Sequence, residues 1–159
     1  MPNTPKILIS ACLIGEPVRY DGKSNLLANQ LLDEWHKQGL LLPVCPEVCG
    51  GLSTPRPPAE IISGKRHGEN TVKTELGIDV SLQFEKGAQH TLELALKHNI
   101  KFAILTEKSP SCASHFIYDG KFNRNLIKGK GITTRLLEKN GIRVFSQHEI
   151  EILSTFIIM

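Results

Sequence analysis

The residues in this chain best suited to chemistry are its four cysteines, Cys12, Cys45, Cys49 and Cys112. Their compartment decides how they read. Residues 1–6 are polar and lead into an apolar run at 7–9 that is too short for a signal-peptide core. No apolar stretch approaches the roughly 20 residues that cross a bilayer. The expectation is a cytoplasmic protein with reduced thiols, in which cysteines serve as metal ligands or catalytic groups rather than disulfides.

Three of the four stand at equivalent places in the pattern of elements. Residues 6–10, 40–44 and 102–105 are short apolar runs that read as buried strands. Cys12 lies two residues past the first, Cys45 directly follows the second, and Cys112 sits in the loop after the third. If those strands are parallel neighbours, the three sulfurs gather at one edge of a sheet, where open parallel sheets bind ligands. Three convergent thiolates make a soft metal site of the iron–sulfur kind. A lone cysteine in apolar surroundings is more often a packing residue. Three at matching positions, in loops rich in Pro, Gly and Ser, favour ligation.

Cys49, four residues beyond Cys45 and next to Gly50-Gly51, reads as a packed cysteine. The distinction has chemical content. Three thiolates leave one iron of a cluster without a protein ligand and open to substrate. A fourth from Cys49 would close the site into a structural or redox module holding zinc or a cluster.

The rest of the chain supplies the scaffold. A helix is expected at 26–37, stopped by Gly39, with Leu27, Leu31 and Trp35 on one face. A strand is expected at 72–78. A long helix capped by Asp79 runs to about His98, with Val80, Phe84, Ala88, Leu92 and Leu96 on one face. Residues 115–123 read as a hairpin centred on Asp119-Gly120. A helix from Ile132 to Asn140, a strand at 143–145 and a last helix from near Gln147 complete the pattern. Strands alternating with amphipathic helices predict an α/β protein with a mostly parallel sheet in a three-layer, Rossmann-like or flavodoxin-like sandwich. With 159 residues and no linker or repeat, residues 1–159 are expected to form a single domain. A net charge of +3 is too small and dispersed to argue for nucleic acid, and the six histidines form no ligand-spaced cluster.

The segments around the cysteines also resemble a known family. They are Ser10-Ala11-Cys12-Leu13-Ile14-Gly15 with Val18-Arg19-Tyr20-Asp21-Gly22, then Pro43-Val44-Cys45-Pro46-Glu47-Val48 with Gly50-Gly51-Leu52 and Pro55-Arg56-Pro57-Pro58-Ala59-Glu60, then Lys108-Ser109-Pro110-Ser111-Cys112. Together they are similar to a bacterial and archaeal family first known as a domain of unknown function, whose characterised members are thiouracil desulfurases (desulfidases). The resemblance implies a Rossmann-like domain, a 4Fe–4S cluster held by Cys12, Cys45 and Cys112, a catalytic glutamate at Glu47 and a catalytic serine at Ser109, with Ser111 the less favoured serine. This chain differs from the family at Cys49, commonly leucine there, and at Ala113, commonly glycine.

The implied substrate is a thiolated pyrimidine or its nucleotide. Its soft thiocarbonyl sulfur suits an iron that lacks a protein ligand. Glu47 would act as general acid or base, and Ser109 would orient substrate or water. A nucleotide needs a phosphate site. Lys130, Gly131 and Thr133, at the start of the helix beginning near Ile132, are candidates because free N–H groups at a helix start attract anions. Arg19 and Arg56 are alternative anion contacts.

Overall fold

The computed structural model describes residues 4–62 and 71–157. Four short strands form its central sheet: β1 (Ile7–Ser10), β2 (Leu41–Val44), β5 (Phe102–Ile104) and β8 (Arg143–Phe145). Their order is β2-β1-β5-β8, and every pairing is parallel. The chain leaves β1 toward β2 on one side and later returns to β5 on the other. The sheet's topological switch point therefore lies between β1 and β5, where successive loops part and leave a crevice.

Side chains alternate across β1 because strand residues point to opposite faces. Ile7 and Ile9 pack with Leu32 and Trp35 of α1 (Gln30–Lys37) and with Ile150 and Leu153 of α5 (Ile150–Ser154). Leu8 packs on the other side with Leu92 and Ala95 of α3 (Ser81–Lys97) and Leu137 of α4 (Ile132–Lys139). The result is the three-layer α/β sandwich expected from the alternation of elements.

Two antiparallel ribbons flank the sheet. One pairs β3 (Ala59–Ile61) with β4 (Val72–Thr74), and the other pairs β6 (Phe116–Tyr118) with β7 (Leu126–Lys128). A single turn of helix, α2 (Pro46–Cys49), follows β2 at once. No helix among the described residues is long and apolar enough to cross a membrane.

Several boundaries differ from expectation for local reasons. The first helix starts at Gln30 rather than Leu26, because the Asn29 side chain accepts from Leu32 N at 3.1 Å and sets the start there. The strand expected at 72–78 stops at Thr74, whose backbone turns through Gly77. On α3, Leu96 is exposed and Ala95 is buried in its place. Each step of four residues advances about 40° around a helix, so four steps from Val80 leave the buried stripe. The hairpin is present, but residues 119–125 separate its strands in a longer loop than Asp119-Gly120 alone would make.

Candidate functional site

The chain leaves each of β1, β2 and β5 into a cysteine-bearing segment. After β1 it enters a 3-10 turn, Ala11–Ile14, that carries Cys12. After β2, Cys45 stands directly before α2, whose first residue is Pro46. After β5 the loop through Ser109-Pro110-Ser111 brings in Cys112. All three cysteines line one cavity of about 660 Å³. Cys12 belongs to the hydrophobic core on the α1/α5 side and Cys112 to the core on the α3/α4 side. The cavity thus caps the sheet's carboxyl edge, with a cysteine anchored in each layer. Cys49 is exposed at the end of α2, not packed as expected, and is not among the cavity's residues.

The thiols sit in surroundings that oppose free thiolates. Burial raises all of them, Cys12 and Cys45 against weaker lowering contacts, and Cys112 to about 12. Cys12 Sγ lies 3.2 Å from Thr106 Oγ1, and Ser111 Oγ lies 3.3 Å from Cys112 Sγ. The first cause acting on Cys112 is desolvation, while the charges of Glu47 and Cys45 push in the same direction. Such thiols are poor nucleophiles at neutral pH. Bound iron would take them as thiolates and supply the positive charge that burial otherwise denies them.

Glu47 projects from α2 into the same cavity. Its Oε1 accepts from Arg56 Nε at 3.1 Å, and its Oε2 is 3.3 Å from both Ser109 Oγ and Ser111 Oγ. Ser109 Oγ also accepts from the backbone N–H groups of Ser111 and Cys112, at 3.1 and 3.2 Å. One network therefore joins the expected acid/base, the expected serine and the Cys112 sulfur. Two glycines allow the close approaches that hold it. A Cβ on Gly87 of α3 would lie 1.9 Å from Pro46 O, and one on Gly131 would lie 2.4 Å from Ser111 O.

The remaining expectations divide. Arg19 and Arg56 both line the cavity. Arg56 is a brace: besides Glu47 it donates to Ser53 O, Thr54 Oγ1 and Val18 O, at 3.1, 3.0 and 3.0 Å. Lys130, Gly131 and Thr133, expected at a phosphate site, do not line the cavity. The free N–H groups at the start of α4 are consumed by loop carbonyls. Gly131 N donates to Ala113 O, Ile132 N to Pro110 O and Thr133 N to Ser111 O, at 2.8, 2.9 and 2.9 Å. Lys130 Nζ pairs with Glu138 at 2.7 Å. The helix start thereby holds the Cys112 loop.

Sequence reasoning missed three further carboxylates of the cavity, Glu60, Glu75 and Glu107, of which Glu60 and Glu107 tie loops to its wall. Glu60 Oε1 accepts from Gly120 N and Phe122 N at 2.9 and 3.2 Å, which ties the hairpin loop to the cavity wall. Glu107 Oε1 accepts from the N–H groups of Ser114, His115 and Phe116 at 3.1, 3.0 and 3.0 Å. Glu60's partners lie far away in sequence and Glu107's across a loop turn, and no local motif announces either.

The 2-thiouracil desulfurase family model matches residues 7–149, a span that includes every cysteine and both serines of the site. The chain belongs to the 2-thiouracil desulfurase family. A solved structure of the 4Fe-4S-dependent thiouracil desulfidase TudS is 48% identical, with a TM-score of 0.89 over 95% of this chain and 96% of that one. The uncharacterized protein YbbK of Bacillus subtilis (strain 168) is 42% identical over 150 residues, 91% of this chain and 97% of YbbK. The family resemblance read from the three cysteine blocks is thereby borne out.

The residues present fit a cluster. Among the described residues no three His, Cys, Asp or Glu side chains stand close enough to share one metal ion. The thiols of Cys12, Cys45 and Cys112 instead line a cavity with room for a multinuclear core. Sulfur is the donor type that such cores take.

Proposed function

We propose that this protein is a 4Fe–4S-dependent desulfidase that removes the thiocarbonyl sulfur of a thiolated pyrimidine base or nucleotide as sulfide. Cys12, Cys45 and Cys112 are the protein ligands, and one iron has no ligand from the protein. The observation that carries the reading is the shared cavity, in which these three thiols meet the Glu47–Ser109–Ser111 network. When bound, the cluster supplies a soft Lewis acid for the substrate sulfur.

The net change converts C=S and water into C=O and hydrogen sulfide, and it balances without oxidant or reductant. Protons must still move from the attacking water toward the leaving sulfur. Glu47 Oε2 is the group in the cavity positioned to carry them, while Arg56 fixes its other oxygen. Ser109, locked by two N–H donors, turns its one hydroxyl hydrogen from Ser111 to the substrate or the water when either enters. Tyr20, Tyr118 and Phe122 line the same cavity and supply aromatic rings suited to a flat pyrimidine. Arg19, paired with Asp21 at 3.3 Å on the rim, serves a phosphate where the substrate is a nucleotide. A cytoplasmic location belongs to the same reading, because the thiols must stay reduced to take up iron.

The test is sulfide release by the anaerobically reconstituted protein from 2-thiouracil, thiouridine and thiouridine monophosphate. Sulfide and the matching oxo-pyrimidine should appear in equal amounts from at least one of them. A fully loaded protein that releases sulfide from none would refute the activity.

A further inference from the structure

We infer that Ser111 is a positioning residue whose single hydroxyl hydrogen is shared between Glu47 and the Cys112 sulfur, so that it links the acid/base to the electron density of a cluster ligand. The inference rests on the reading of Cys112 as a ligand.

Counting hydrogens leads to it. Ser109 Oγ accepts from Ser111 N and Cys112 N, which occupies both of its lone pairs. Ser109 keeps one hydrogen, and of its two acceptors Ser111 Oγ at 2.9 Å is nearer than Glu47 Oε2 at 3.3 Å, so Ser109 donates to Ser111. Ser111 keeps one hydrogen and faces two acceptors at equal distance, Glu47 Oε2 and Cys112 Sγ, both at 3.3 Å. Ser111 is fully buried, so bulk water supplies neither acceptor with a substitute. Whichever acceptor takes the hydrogen, the other loses it. A hydrogen bond to a ligating sulfur withdraws electron density and raises the potential of the cluster it holds. Demand at Glu47 therefore reaches the cluster through Ser111.

The experiment is an anaerobic redox titration of the reconstituted protein, followed by electron paramagnetic resonance. Ser111→Ala should lower the cluster potential, and Ser111→Thr should restore it. Glu47→Gln should raise it, because an amide competes less for the Ser111 hydrogen. Loss of a negative charge alone would also raise it, so the double variant decides. If Ser111 carries the effect, Glu47→Gln shifts the potential less in the Ser111→Ala background than in wild type. Equal shifts in both backgrounds, or no change in Ser111→Ala, overturn the inference.

Should Ser111→Ala fail to take up iron, pulsed resonance in heavy water carries the test. An exchangeable deuteron should couple to the cluster in wild type and more strongly in Glu47→Gln. Absence of that coupling, or no gain in Glu47→Gln, overturns it. Cluster loading and sulfide release test the proposed function separately. A loaded, active protein with additive shifts fails this inference alone.

Discussion

Glu47 and Glu107 line the same cavity, yet their partners set them to different tasks. Glu107 is wrapped by the backbone. Three consecutive N–H groups converge on one oxygen, while Ser114 Oγ and His115 Nδ1 reach the other at 3.2 and 2.9 Å. Although partial burial opposes ionisation, these donors hold its carboxyl at about 2. It stays charged throughout the working range and clamps the loop that carries Cys112. Glu47 has only side-chain partners, one guanidinium and the hydroxyls of Ser109 and Ser111 at 3.3 Å, and those hydrogens can rearrange. A carboxylate fixed by backbone amides is a structural part. One held by hydroxyl and guanidinium groups beside a cavity suits the proton-carrying role proposed for it.

Substitutions at four positions sharpen or break this contrast. Glu47→Gln should reduce sulfide release by about 10²- to 10⁴-fold, the usual range for loss of a general acid or base, with iron content and melting temperature near wild type. An active Glu47→Gln protein would remove the proton-transfer role. Arg56→Ala should cost about tenfold in kcat, since Glu47 keeps its hydroxyl partners but loses the group that aims it. Rescue by Arg56→Lys should be partial, because a point charge cannot also reach Ser53, Thr54 and Val18.

Glu107→Gln should leave kcat within about threefold and act on stability instead. The carboxyl is depressed from 4.5 to about 2, so its contribution is complete above pH 4.5 and fades as pH falls toward 2. Allowing for water on the cavity side, that contribution is about 2 kcal/mol. Denaturant unfolding should therefore show a loss of stability between pH 4.5 and 2 in wild type that Glu107→Gln largely lacks. The smallest effect belongs to Cys49→Ala, which should keep both iron and activity, because its thiol is exposed outside the cavity. Loss of iron in that variant would revive a four-thiolate site.

The contrast also explains what could be read from the chain in advance. The strands at Ile7–Ser10, Leu41–Val44 and Phe102–Ile104 are buried apolar runs, and a cysteine beyond each was legible by position alone. Strand order was not, since pairing depends on partners far away in sequence. The short α2 and strand β3 were hidden in a Pro- and Gly-rich stretch, where propensity argues against regular structure. The Gly-Lys-Gly before Ile132 looked like an anion cradle because a helix start offers free N–H groups. Only tertiary contact reveals that Pro110, Ser111 and Ala113 carbonyls already occupy them. Glu60 escaped notice for the same reason as the strand order, and Glu107 because its partners gather only once the loop turns back on it.

The most direct test of the whole account is the iron and acid-labile sulfide content of four variants after identical anaerobic reconstitution. Cys12→Ala, Cys45→Ala and Cys112→Ala should each fall well below the four irons per chain expected of wild type, while Cys49→Ala matches it. A full complement of iron in any of the first three would contradict it.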